Sequence, residues 1–169
     1  MQFEEFSREQ LPSLVRFAAV LTGDRELAQD VVQDALVRAH QGWRRMAAAD
    51  RPELYMRKIV VNGYLSWRRR WYQRSVHVTA DVSRFREPTA PDPAWRIADA
   101  DQLAGPLARL SRAQRAAIVL RFYEDRDDDE IAAVLGCASG TVRSHISRGL
   151  SALRAELNEG LNEGKETVR

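Results

Sequence analysis

Cysteine is almost missing from this chain. The single Cys137 excludes an internal disulfide and any zinc site built on several thiolates, and its apolar neighbours point to a buried or partly buried thiol rather than a reactive one. Long apolar runs are missing too. No stretch approaches the ~18 uninterrupted apolar residues of a membrane span, and Met1 leads into Glu4, Glu5 and Arg8 rather than a basic-then-apolar signal. No membrane span is expected, and the expected location is the cytoplasm. Histidine is scarce: His40, His77 and His145 have no His or Cys neighbour at ligand spacing. A glycine-rich phosphate loop, a nucleophile elbow and a His-Glu-His zinc helix are all lacking. Four acids crowd Asp127 to Glu130, but at a helix start they are explained by capping and by complementing the helix dipole. No catalytic residue, metal or cofactor is therefore expected, and the chain does not read as an enzyme.

Charge of one sign does not dominate either, since 26 Lys plus Arg against 24 Asp plus Glu leave a net charge of +2. The distribution says more. From Arg57 to Arg74 the charged residues are Arg57, Lys58, Arg68, Arg69, Arg70 and Arg74 with no acid among them, whereas Glu124 to Glu130 is acidic except for Arg126. Such segregation implies two faces with different partners.

What is present is helical periodicity. Hydrophobic residues make up 44% of the 169, enough for one domain or for two small units on a linker. Leu11, Leu14, Val15, Ala18 and Leu21 recur at the spacing of one buried helix face, although Pro12 is placed to split that helix. Asp24 can cap a second helix with the stripe Ala28, Val31, Val32, Ala35, Leu36 and Ala39, ending near Gly42. After a turn at Asp50 to Pro52, a third runs from Glu53 to about Tyr72 and ends in the arginine run. Between Gln73 and Ala104 the pattern dissolves around Pro88, Pro91 and Pro93, with only Ala94 to Leu103 weakly helical and residues 75–82 ambiguous. A second unit opens after Gly105-Pro106 with a capping box at Ser111 and Gln114. The expected fold is all-α: two small helical domains, 1–74 and 105–158, joined by a proline-rich linker at 75–104 and followed by a tail at 159–169.

Residues 127–153 are the most specific feature. They read as two helices with a glycine turn between them: Ile131, Ala132 and Leu135 inward on the first, a positive φ at Gly136, and Ser139 as cap of a second helix that buries Val142, Ile146, Leu150 and Leu153. This is helix-turn-helix spacing. The outward face of the second helix presents Thr141, Arg143, Ser144, Ser147 and Arg148, hydroxyls and guanidinium groups suited to base edges and phosphates in a major groove. The bland reading is a helical hairpin with a solvated basic face. In the N-terminal unit, Tyr64, Trp67, Trp71 and Tyr72 alternate with Arg68, Arg69 and Arg70, an interleaving that suits single-stranded nucleic acid or a packed aromatic helix end with arginines reaching outward. Asp30, Gln33 and Asp34 share one face of the second helix and read as a solvated surface or as a docking patch for a basic partner.

Taken in order, the segment Asp30-Val31-Val32-Gln33-Asp34-Ala35, the basic-aromatic helix, the linker and the helix-turn-helix resemble a bacterial sigma factor of the extracytoplasmic-function group. Leu21-Thr22-Gly23-Asp24 and Trp67-Arg68-Arg69-Arg70-Trp71 look most like the actinobacterial sigma-E-like class. The resemblance covers about Phe3 to Leu157. It implies that the chain binds core RNA polymerase and promoter DNA, with Asp30, Gln33 and Asp34 docking on the polymerase. It implies that Arg51, Pro52, Leu54, Tyr55, Asn62, Ser66 and Arg69 capture and hold the melted minus-ten strand. It gives Arg143, Ser144, Ser147 and Arg148 the minus-thirty-five duplex, with Thr141 on a phosphate, and an anti-sigma protein is a common partner in the family. The linker matches a segment that threads toward the polymerase active centre. Two departures stand out: Arg126-Asp127-Asp128 replaces a usual apolar residue followed by a hydroxyl or aromatic one, and His145 replaces a frequent arginine. The alternative is a stand-alone dimeric helix-turn-helix regulator, which would bind a palindrome without polymerase.

Overall fold

A computed structural model describes residues 2–75 and 100–166, with side chains over 2–66 and 104–159. Helix α1 (Phe3–Thr22) buries Phe6, Leu14, Phe17, Ala18 and Leu21, and it runs unbroken through Pro12. The proline is exposed, so water can take up the carbonyl that its missing N–H leaves free. Gly23 ends the helix at φ 68°, its N–H donating to the Ala19 carbonyl at 2.8 Å. Asp24 then caps α2 (Arg25–Gln41), accepting from the Leu27 N–H at 2.9 Å. The stripe on α2 is Ala28, Val31, Val32, Ala35 and Ala39, all buried. A short helix that the periodicity did not reveal, α3 (Trp43–Ala47), buries Met46 and sets Trp43 against Phe3 and Phe6. Helix α4 (Pro52–Ser75) opens on Pro52, where no N–H is needed. It buries Met56, Val60, Val61 and Tyr64, and with them Arg57.

The second unit begins earlier than the composition implies. Helix α5 (Ala100–Ala108) continues through Gly105-Pro106, where the sequence reads as a break, and packs on the C-terminal helix of the chain. Leu107 there and Leu110 just beyond its end join Ile118 and Leu153 in a small satellite cluster. Helix α6 (Arg112–Phe122) starts from the expected capping box, Ser111 Oγ accepting from the Gln114 N–H at 3.2 Å. Arg115, Ala116, Ala117, Ile118, Val119 and Leu120 are consecutive and all buried, so this helix is covered on every side. Helices α7 (Asp128–Leu135) and α8 (Ser139–Glu166) complete the unit. The expected all-α class holds, and no strand occurs among the described residues. Residues 76–99, which include most of the expected linker and most of the ambiguous 75–82 segment, lie outside the described residues, as do the side chains of most of the tail.

The two units share one core. Helix α4 packs against α7 and α6, and α1 packs against α6, so Leu14, Phe17, Met56 and Val60 belong to the same buried cluster as Leu120, Ile131, Val134 and Val142. Each such side chain contributes roughly 1.5–3 kcal/mol when removed from water.

Candidate nucleic-acid interface

The helix-turn-helix is assembled by reciprocal caps. Asp127 accepts from the Glu130 N–H at 2.8 Å while Glu130 accepts from the Asp127 N–H at 3.1 Å, and Gly136 turns the chain at φ 67°. Partial burial works against ionisation of Glu130, but the Asp127 N–H and the Arg51 guanidinium outweigh it and hold the carboxyl below its usual range. Ser139 does not serve as the cap of α8. The Ala138 carbonyl already accepts from the Val142 N–H, so Ser139 lies inside the helix, and its hydroxyl donates to Asp129 at 2.7 Å, pinning α8 to α7. Val134, which the sequence reading passed over, is buried with Ile131, whereas Ala132 and Leu135 are half-buried.

Helix α8 is two-faced. Val142 and Leu153 are buried, with Ile146 and Leu150 half-buried beside them. Gly149 lets α8 lie against α6, since a Cβ there would stand 2.5 Å from Ile118 Cδ1. On the other face Thr141, Arg143, Ser144, Ser147 and Arg148 are all exposed. Arg143 lies 3.4 Å from Asp128, which also pairs with Arg121. Phe122, which ends the apolar run of α6 and reads in sequence as core, is instead 63% exposed and shares a shallow hollow with Arg143, Ile146 and Ser147 of α8.

In the first unit, Asp30 and Gln33 are exposed on α2, and the half-buried Asp34 pairs with Arg38 at 3.1 Å. Val37, 57% exposed, adds an apolar spot to that face. Arg51, Pro52, Leu54 and Tyr55 gather at the start of α4, with Arg51 and Tyr55 exposed and Pro52 and Leu54 half-buried. Bonds to Glu130 and then Glu53 raise the pKa of the Arg51 guanidinium. Further along α4, Asn62 is exposed and the Ser66 hydroxyl donates to its carbonyl at 2.6 Å. The side chain of Arg69 lies outside the described residues, as do those of Trp67, Arg68, Arg70, Trp71 and Tyr72.

Two readings from the sequence need correction. In this packing Tyr64 is not exposed for stacking on a base: it is buried beneath Arg112, whose guanidinium lies 5.1 Å from the ring centre, and burial pushes its hydroxyl pKa up. The basic and acidic stretches also do not simply face different partners. Arg57 pairs with Glu124 at 3.0 Å, and Arg51 pairs with Glu130, so part of each stretch is spent on the other.

Family models agree with this layout: Sigma-70 region 2 matches residues 7–74 and Sigma-70, region 4 matches residues 102–153. The RNA polymerase sigma-E factor of Streptomyces avermitilis is 33% identical over 157 residues, 93% of this chain and 86% of that protein. The ECF RNA polymerase sigma factor SigL of Mycobacterium tuberculosis is 35% identical over 147 residues, covering 86% and 83% of the two chains. The chain belongs to the ECF sigma factors. In this sigma factor the region 2 match ends within α4, and the region 4 match starts within α5, which accounts for a helix where the composition reads as linker. The sigma factor RpoE, solved with the anti-sigma factor NepR from Bartonella quintana, matches at a TM-score of 0.68 and 27% identity, over 92% of this chain and 98% of that one. CnrH, solved with the cytosolic domain of CnrY, shares the fold at a TM-score of 0.60 and 22% identity.

Proposed function

We propose that this sigma factor directs initiation by reading a promoter with two surfaces while it is docked on core RNA polymerase. Helix α8 enters the major groove of the minus-thirty-five element with Arg143, Ser144, Ser147 and Arg148, while Thr141 takes a phosphate. The start of α4 and its exposed face, Arg51, Pro52, Leu54, Tyr55, Asn62, Ser66 and Arg69, hold the melted minus-ten strand. Asp30, Gln33 and Asp34 dock on the polymerase, with Val37 beside them. Specific binding energy, rather than catalysis by this chain, drives strand separation, and the work takes place in the cytoplasm where polymerase is. RpoE, solved with NepR, supports an anti-sigma protein as a further partner.

The observation that carries this reading is the division of α8, with five polar side chains exposed opposite the buried Val142 and Gly149. Transcription by core polymerase with and without the protein on genomic fragments, followed by mapping of RNA starts, tests it. New starts sharing two upstream motifs are expected, and Arg143→Ala with Arg148→Ala should abolish them, since one good bidentate arginine contact is worth about 1–3 kcal/mol. No new starts, with palindrome binding by the protein alone, would leave the dimeric regulator.

A further inference from the structure

Both carboxylate oxygens of Asp128 face arginines. Oδ1 accepts from Arg121, near the end of α6, and Oδ2 lies 3.4 Å from Nη1 of Arg143, in the second turn of α8. The cap of α7 does not require this side chain, since the reciprocal bonds there are made by Asp127 and Glu130. The platform beneath it is firm. Ser139 donates to Asp129 at 2.7 Å and fixes the start of α8 against the first turn of α7, and Val134 and Val142, one from each helix, are buried in the same cluster.

A guanidinium reads a guanine with two parallel N–H groups. The contact to Asp128 engages Nη1, which leaves the Nε and Nη2 edge of Arg143 as the fork. Nη2 passes over Gly140, one turn back, where a Cβ would stand 3.7 Å from it, so no side chain of that residue screens the edge. This lean is the direction that helical side chains take, and it carries the fork toward the N-terminal end of α8, the part of a recognition helix that meets base edges. The Arg143 side chain is 66% exposed and that of Asp128 30%, so the pair adds little to stability. What it fixes is direction: an arginine already held in one rotamer loses less entropy when it binds.

We propose that Asp128 is a positioning residue for promoter reading. With Arg121 on its other oxygen, it holds the Arg143 guanidinium so that the Nε and Nη2 edge meets O6 and N7 of one guanine in the minus-thirty-five element. Asp128 itself touches no base. The assignment deepens the promoter reading above and rests on it.

The test is transcription by core polymerase carrying the full chain, on a promoter taken from the mapped starts whose minus-thirty-five element is randomised, with the RNA from each template counted. Arg143→Ala should erase a preference for guanine at one base pair, ~10-fold or more. Asp128→Ala should weaken the preference at that same base pair about fivefold and leave the other positions as in wild type. In the Arg143→Ala background it should change nothing further there. Asp125→Asn removes an exposed acid three residues away, at a φ of 52° that asparagine tolerates; it should leave every preference unchanged, which separates aim from net charge. Circular dichroism checks the fold of each variant, and Asp128→Asn, which keeps the shape of the side chain and one acceptor for Nη1, should fall between wild type and Asp128→Ala. Output from Asp128→Ala that falls equally on all templates would make the acid structural, and output that rises equally would make it an electrostatic brake; either result, or an unchanged profile, would overturn the positioning role. A loss in Arg143→Ala that ignores base identity, or follows a base other than guanine, would overturn the fork. The absence of any new start with the wild-type protein is a separate result, which overturns the promoter reading and this assignment with it.

Discussion

Single residues in this sigma factor carry two duties at once. Gly23 is the clearest case: its φ of 68° is a conformation that side chains resist, and a Cβ there would stand 2.7 Å from the guanidinium of Arg115. Gly23→Ala should therefore lose about 1–2 kcal/mol from the backbone alone and more from displacing Arg115, whose bond to the Val20 carbonyl ties the units together. A fall in the urea midpoint larger than that of Gly105→Ala, where a Cβ meets nothing within 4 Å, is the expected result. The glycine was legible in the sequence as punctuation between two helices. Its second duty was not, because Arg115 is 92 positions away and only folding brings it near. The same limit applies to Arg57, which counts as part of a basic stretch until Glu124 is placed against it.

At the scale of elements, the start of α7 does three jobs: it caps its own helix, holds Arg51 and anchors α8 through Ser139. Glu130 has its pKa lowered by these partners despite partial burial. Its contribution is fully present above the unfolded value of about 4.3 and is lost as pH falls through the lower folded value. Glu130→Gln keeps a side-chain acceptor for the Asp127 N–H but removes the charge. The variant should be less stable than wild type at neutral pH, and the gap in urea midpoint should narrow as pH drops below about 4.3; a gap independent of pH would contradict this assignment. The capping box here and the one at Ser111 were readable because their spacing is local. The role of Ser139 was not, since a serine after a glycine turn suits a cap equally well until the Ala138 carbonyl is seen to start the helix. Helix α3 left no mark in the sequence, because five residues are too few to show a period.

For the whole molecule, the shared core predicts cooperativity. Trp43 packs against Phe3 and Phe6 in the first unit and no tryptophan lies beyond position 95, so the part of the emission that comes from Trp43 follows the first unit while far-UV dichroism reports on both units. The two thermal transitions should coincide in the wild-type protein, as a two-state domain requires. They should separate in Glu124→Ala, where the units no longer support one another. Two distinct transitions in the wild type would mean that the packing of α4 on α7 contributes little to stability.

Local order came from the chain itself. Apolar spacing, proline at a helix start, glycine after a helix end and acids or hydroxyls at caps determined which segments are helical and that one pair forms a helix-turn-helix, because those signals act within one or two turns. The exposed faces of α2 and α8 followed from the same periodicity. Only the tertiary structure decided that Tyr64 is covered, that Arg57 is buried and that the two units close over a common core. Those outcomes depend on partners tens of residues distant, and a charged or aromatic side chain looks the same in sequence whether water, nucleic acid or its own protein meets it.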